Sequence, residues 1–177
     1  KRYGSQGGQT LRAPLLGRRQ GARKRPVQSL SDRALTSASL KMINGIGRIS
    51  AIITTYNRPG HLAKCLASLE TQTVAPDEVV IADDGSSPEC VDEIREMVMR
   101  SPFDAIHVWQ EHRGFRAAAN RNNAVRHSSG DYMFFADGDA VLLPGTIEAH
   151  IELSGPDRWV AGNMTRLTPE ESDRLSE

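Results

Sequence analysis

Cysteine is nearly absent from this 177-residue chain, and aromatic residues make up only 5% of it. Cys65 and Cys90 stand alone, without a CxxC pair or a Cys/His spacing, so neither a disulfide framework nor a structural zinc site is expected. No apolar run approaches the roughly eighteen residues of a membrane span, and no apolar core follows the basic start as it would in a secretory signal. The sequence also lacks G-x-G-x-x-G and a Walker lysine, which removes the usual dinucleotide and P-loop readings. Two isolated cysteines fit a reduced, cytoplasmic setting, with at most peripheral contact at the inner face of a membrane.

Net charge is missing too, but only in total. Residues 1–41 hold ten Lys/Arg and one acid, Asp32, for a local charge of +9, whereas residues 42–177 carry −9. The first 41 residues show no sustained apolar periodicity and are rich in Gly, Ser, Gln and Arg. Such a composition cannot bury enough surface to offset the entropy of ordering, so a disordered basic extension is expected. An Arg- and Ser-rich, acid-poor leader also resembles an organelle transit peptide. A basic arm for nucleic acid or anionic lipid is a third possibility, although no folded reader stands beside it, so no nucleic acid is expected as a partner. Met42 precedes the first strand-like run, and residues 42–177 are long enough for one domain with a real core.

Within that domain, short apolar runs alternate with helical patterns. Strands are expected at 49–56 (ISAIITTY), 78–85 (EVVIADDG), 105–110 (AIHVWQ), 131–137 (DYMFFAD) and 158–167 (RWVAGNMTRL). Helices are expected from Pro59, where Leu62, Cys65, Leu66 and Leu69 make one apolar stripe, and from Pro88, where Val91, Ile94 and Val98 do the same. Two more fall at 115–128 and 144–153, and TPEES (168–172) reads as a helix cap with its first turn. The alternation argues an α/β fold with a mostly parallel sheet covered on both faces. Ligands of such sheets sit beyond the carboxyl ends of the strands. The polar punctuation falls there, at Thr54–Arg58, Asp83–Ser87 and Asp137–Asp139.

Three constellations carry the chemistry. Eleven aspartates in 177 positions make about one Asp-x-Asp pair expected by chance, so ADGD (136–139) gains weight only from its place at the end of an apolar strand. Gly138 can adopt the angles of a tight turn and let both carboxylates converge, and two acids plus phosphate oxygens and water suit Mg²⁺ or Mn²⁺. A solvated turn is the competing reading. In IADDGSS (81–87), one of Asp83 and Asp84 is expected to cap a helix or turn, leaving the other to accept hydrogen bonds from a base or ribose. In EHRGFRAAANRNNAVRH (111–127), Arg113, Arg116 and Arg121 could neutralise phosphate charge near a helix start. Arg126 reads as a solvated face. The five histidines do not cluster, which argues against His150 as a metal ligand.

The ordered set ITTYNRP, IADDGSS, GFRAAANRN and GDYMFFADGD resembles family 2 glycosyltransferases, with their Rossmann-like, nucleotide-sugar-binding GT-A half. The resemblance covers roughly residues 48–153. It implies that Thr55, Tyr56, Asn57 and Arg58 line the nucleotide, that Asp83 or Asp84 binds its base or ribose, and that Arg121 and Asn122 lie near nucleotide and metal. Asp137 would contact ribose and metal, Asp139 the metal, with Mn²⁺ or Mg²⁺ as cofactor. The donor implied is a nucleoside-diphosphate sugar, most commonly a UDP-sugar, and the acceptor a glycan or lipid-linked hydroxyl in polysaccharide biosynthesis. Transfer would be inverting.

The acids after Asp139 do not match the family's general base. Glu148 and Glu152 form an i, i+4 pair expected to be solvated, so no catalytic base is assigned and the domain is expected to be incomplete on its acceptor side. A nucleotide-sugar-binding fragment without catalysis is therefore a second reading. A sugar nucleotidyltransferase is a third, although TTYNRPGHL is a poor match to the Gly-rich loop such enzymes carry.

Overall fold

The computed structural model describes residues 10–12 and 45–174. The expectation of a structureless extension over residues 1–41 lies outside the described residues, except at Thr10–Arg12, which form a short strand, β1, where none was expected. Four further strands follow: β2 (Ile49–Thr55), β3 (Glu78–Asp83), β4 (Asp104–Trp109) and β5 (Tyr132–Asp137). They form one sheet in the order β1-β4-β3-β2-β5, in which only β1 runs antiparallel.

Helices α1 (Pro59–Glu70), α2 (Pro88–Arg100), α3 (Ala117–His127), α4 (Thr146–Leu153) and α5 (Pro169–Arg174) complete the fold. Both α1 and α2 open on proline, whose missing N–H costs nothing in a first turn. The reciprocal bonds expected of TPEES are present at α5, where Thr168 N–H donates to Glu171 (2.8 Å) and Glu171 N–H to Thr168 Oγ1 (3.3 Å).

The core has two layers because alternate residues of each strand face opposite sides of the sheet. On one side Ile53, Val79 and Ile81 pack with Leu62 and Leu69 of α1, Ile94 of α2, and Ile147 and Ile151 of α4. On the other, Ile52, Val80, Ile106 and Val108 pack with Ala124 of α3. Every residue of β3 is buried, as expected for a strand covered on both faces.

At the amino ends of the strands a buried carboxylate ties the sheet together. Glu78 accepts from Ser50 Oγ (2.5 Å), Ser129 N–H (2.5 Å) and Ser129 Oγ (2.9 Å), with Arg48 at 3.5 Å. Burial pushes this carboxyl's pKa up, but the Ser129 and Ser50 hydrogen bonds and the Arg48 charge outweigh burial and hold it below the ordinary value.

One expected element is absent. Residues 158–167 adopt neither strand nor helix, and Trp159 (96% exposed) and Met164 (81%) lie open to solvent. Alternation makes a strand only where a neighbouring edge takes up its backbone hydrogen bonds. Here the chain leaves α4 through Gly155 and Asp157, the latter at φ 59°, and no described strand pairs with the outer side of β5. Helix α3 starts at residue 117 rather than 115, after Gly114 in the left-handed region (φ 82°). Among the described residues no helix is long and apolar enough to cross a membrane.

Candidate functional site

The parallel register sets the site. Thr55 pairs with Asp83, Asp83 with Trp109, and Thr54 with Asp137, so the carboxyl ends of β2, β3, β4 and β5 are level along one rim. Going outward from β2, the chain order runs to β3 and β4 on one side and jumps to β5 on the other. That reversal between β2 and β5 opens the crevice where open α/β sheets bind ligands. Thr54 and Asp137 face each other across it, Thr54 Oγ1 donating to Asp137 Oδ1 at 2.9 Å.

The turn Asp137–Ala140 follows, closed by Ala140 N–H to Asp137 C=O (2.9 Å). Gly138 serves it for a different reason from the one expected. Its backbone is not left-handed; instead its N–H donates to Thr54 C=O at 2.7 Å, and a Cβ there would sit only 2.5 Å from that oxygen. Close approach, not a special dihedral, demands glycine. Below the turn, residues 138–145 descend along α1. The Cys65 thiol reaches Asp137 C=O (3.7 Å), Ser68 Oγ accepts from Leu142 N–H (3.0 Å), and the Gln72 amide holds Leu143 C=O (2.9 Å) and Ile147 N–H (3.1 Å). Burial, then the charges of Asp139 and Asp137, push the Cys65 thiol up to about 12.

Each acid has a cationic neighbour. Arg121 Nη2 of α3 donates to Asp137 Oδ1 at 2.6 Å, and Arg58 Nη1 lies 3.5 Å from Asp139 Oδ2. Asp137 Oδ2 and Asp139 Oδ1 keep no partner among the described residues, and both side chains are about half exposed (47% and 54%). This donor set of two accessible hard carboxylate oxygens on one rigid turn fits Mg²⁺ or Mn²⁺, which complete their shells with water and phosphate. Two acids alone do not make a cage; no cluster of three or more His, Cys, Asp or Glu able to hold a metal occurs among the described residues.

The sequence leaves one of the neighbouring acids to accept from a base or ribose, but in the structure both Asp83 and Asp84 are engaged by protein groups. Asp83 is fully buried and accepts from Ser86 N–H (2.9 Å), Ser86 Oγ (2.7 Å) and His107 Nε2 (3.0 Å). It shapes the turn. Asp84, 6% exposed, accepts from Gln110 Nε2 (2.6 Å) and Arg116 N–H (3.1 Å), which tie the 110–116 loop onto the rim. Asn57, in the left-handed region at φ 50°, donates its N–H to Ser86 Oγ (2.8 Å) and accepts from Ser87 N–H through Oδ1 (2.7 Å). It thus clamps the end of β2 to the start of α2.

Tyr56 is 43% exposed and stacks on His112 with ring centroids 4.5 Å apart. Thr55 is buried, and its carbonyl accepts from Asp84 N–H (3.1 Å). Asn122 is exposed on α3, and its side chain makes no hydrogen bond to the turn. Arg113 pairs with Glu111 (2.7 Å), and the Arg116 guanidinium bonds to the Glu111 carbonyl. His150 packs edge-on against Phe134 away from the acids, and burial lowers its pKa. Glu148 accepts from Thr73 at the far end of α1 from the rim (2.5 Å), and Glu152 is exposed.

Sequence reasoning placed Thr54 and Ser86 on the rim without giving them roles, and missed His107, Gln110 and His112. His107 could have been flagged, because a titratable ring inside the otherwise apolar strand AIHVWQ needs a buried partner. Gln110 and His112 carry no such mark, since only the folded loop brings them against Asp84.

Comparison with known proteins agrees with this geometry. A family model described as glycosyl transferase family 2 matches residues 50–165. The chain is 36% identical over 106 residues to the validoxylamine A glucosyltransferase of Streptomyces hygroscopicus subsp. limoneus, covering 57% of this chain and 22% of that protein. It is 34% identical over 117 residues to the chondroitin synthase of Escherichia coli, covering 66% of this chain and 17% of the relative. The mannosyltransferase PcManGT from Pyrobaculum calidifontis, solved with GDP-Man and Mn²⁺, has the same fold at a TM-score of 0.58 and 24% identity, over 72% of this chain and 38% of that one. The chain thus spans only a fraction of the length of these relatives.

Proposed function

This chain belongs to glycosyl transferase family 2, and on that premise we propose that it binds a nucleoside-diphosphate sugar along its rim as the donor half of a glycosyltransferase. The observation that carries the reading is the level rim itself. The two accessible carboxylates of Asp137 and Asp139 stand at the switch point between β2 and β5, two strands from the Asp84–His112 loop. A diphosphate at the first location and its nucleoside toward the second would lie across the carboxyl ends of β2 and β3.

The roles follow from the contacts. Asp137 and Asp139 would hold Mn²⁺ or Mg²⁺. Bound there, the cation supplies Lewis-acid stabilisation for negative charge on the departing diphosphate. Arg121 and Arg58 stand within ion-pair reach of the same carboxylates and reduce the net charge that the turn presents to phosphate. Thr54 and Gly138 fix the turn, and Asn57, Asp83 and Ser86 fix the adjoining loop. Tyr56 and Asp84 face the nucleoside. In transfer, the acceptor hydroxyl would attack the anomeric carbon from the side opposite the leaving diphosphate, the bond to the diphosphate breaking as the new one forms and the hydroxyl proton passing to a general base that no described residue is assigned to supply, with inversion.

A second reading, donor binding without transfer, is favoured by one observation. Among the described residues no acid after Asp139 is hydrogen-bonded to a rim residue: Glu148 is held by Thr73, and Glu171 caps its own helix. Incubation with UDP- and GDP-sugars and Mn²⁺, followed by assay of released nucleoside diphosphate, separates the two. Release that depends on Asp139 supports transfer chemistry in this chain. Saturable binding with no release supports the second reading, and absence of both overturns the proposal.

A further inference from the structure

We infer that Arg121 and Arg58 are exchangeable counter-ions that guard the acids of the turn against a bare cation, so that metal and diphosphate bind interdependently. The inference rests on the donor-binding reading above and adds a coupling device that two carboxylates by themselves would not supply. The arginines come from opposite faces of the sheet. Arg121 belongs to α3, which packs through Ala124 against Ile52 and Val80. Arg58 immediately precedes α1, which packs through Leu62 and Leu69 on the other face.

Their hold on the acids is unequal. Arg121 Nη2 donates to Asp137 Oδ1 at 2.6 Å, and the same oxygen accepts from Thr54 Oγ1 at 2.9 Å. Helix α3 is pinned beside the sheet at this level, because the buried Asn120 side chain donates to the Ala82 carbonyl at 2.8 Å. Arg58 Nη1 stands 3.5 Å from Asp139 Oδ2, and its side chain is 64% exposed against 38% for Arg121. An exposed pair at that distance contributes little, whereas the shorter one is a charge-assisted hydrogen bond. Arg121 is the principal counter-ion.

Charge sets the consequence. The two carboxylates and the two guanidiniums sum to zero, so a bare divalent cation approaches a turn with no net attraction for it. It must also share Asp137 with a guanidinium, a like charge at close range. A diphosphate reverses this balance, because its oxygens accept from guanidinium as well as a carboxylate does. Arg121 can then turn from Asp137 to phosphate and leave the carboxylate to the metal. By reciprocity each ligand raises the affinity of the other by the same factor.

The test has two arms, both on the full chain. Mn²⁺ binding without nucleotide is read from the electron paramagnetic resonance of the unbound ion. UDP and GDP are titrated calorimetrically with and without Mn²⁺. In the wild type Mn²⁺ is expected to raise the affinity of whichever nucleotide binds by about tenfold or more. Phosphate ligation of the metal would produce part of that by itself, so the decisive reading is Mn²⁺ alone. Arg121→Gln and Arg121→Met are expected to bind Mn²⁺ alone about fivefold or more tighter than the wild type, and their coupling factor to fall correspondingly. Arg121→Lys keeps the charge and is expected to stay near the wild type in both arms. Arg58→Gln should shift Mn²⁺ binding the same way by about twofold or less. Arg126→Gln, exposed on α3, should change neither arm. Mn²⁺ binding no tighter in both Arg121→Gln and Arg121→Met than in the wild type, undetectable binding to all three included, overturns the inference alone: Arg121 then only positions Asp137. Failure of the wild type to bind either nucleotide, with or without Mn²⁺, overturns the donor-binding reading beneath it.

Discussion

Replacing Gly138 by alanine tests how the turn after β5 is built. A Cβ at residue 138 would stand 2.5 Å from Thr54 C=O, where ordinary contact begins near 3.4 Å, so the two must part by about 0.9 Å. Thr54 lies in β2, held by β3 on one side and β5 on the other, so the turn has to move. That movement strains the 2.7 Å hydrogen bond from Gly138 N–H to the same oxygen. Overpacking of this kind costs roughly 1–3 kcal/mol and a lost hydrogen bond about 1 more, which gives about 2–4 kcal/mol for Gly138→Ala. A displacement near 1 Å also shifts Asp137 and Asp139 on the rim, so Mn²⁺-dependent nucleotide affinity is expected to fall about tenfold or more. Urea unfolding measures the first effect and calorimetric titration the second. Gly114→Ala is the comparison. Its φ of 82° makes alanine strained, yet nothing lies within 4 Å, so about 1 kcal/mol is lost with metal affinity unchanged. If Gly138→Ala unfolds at the wild-type urea midpoint and binds as well, the close-approach argument is wrong.

Two other perturbations probe the buried charges. Because the Glu78 carboxyl is held below its ordinary value near 4.5, its ionised form stabilises the fold above that pH, and the contribution is lost as pH falls through the lowered folded value. Thermal melts below about pH 4.5 should therefore fall more steeply for the wild type than for Glu78→Gln, and equal slopes would contradict the assignment. His107→Leu removes a hydrogen-bond partner from the fully buried Asp83 and is expected to cost roughly 1.5–3 kcal/mol. Adding Asp83→Asn should recover part of that loss, so a double-mutant cycle with additive effects would count against the pairing.

The elements that sequence made legible are those whose pattern needs no distant partner. The strands at 49–55, 78–83 and 132–137 announce themselves as β-branched or aromatic runs ending in polar residues. Pro59 and Pro88 mark helix starts, and the Leu62, Cys65 and Leu69 stripe does face the core. The 158–167 segment shows the limit, since its apolar residues suggest a strand and only the absence of a described pairing edge shows otherwise. Thr10–Arg12 is the converse: too short to register in sequence, it pairs because β4 offers an edge.

At the site, Asp137, Asp139 and Arg121 are legible because the motif and its strand end coincide. Sequence could not divide the work between Asp83 and Asp84, which are adjacent and chemically identical. Strand geometry separates them, turning Asp83 inward to His107 and Asp84 toward the 110–116 loop. The reason for Gly138 was equally hidden, because contact with Thr54 arises only once β2 and β5 are neighbours.

The most direct measurement is calorimetric titration of UDP and GDP into the chain with and without Mn²⁺, repeated on Asp139→Ala. Saturable binding that requires the metal and weakens by about tenfold or more in Asp139→Ala is expected, since one of two carboxylate ligands is lost. Binding of neither nucleotide, or binding indifferent to both Mn²⁺ and Asp139, would contradict the assignment of this rim as a metal–diphosphate site.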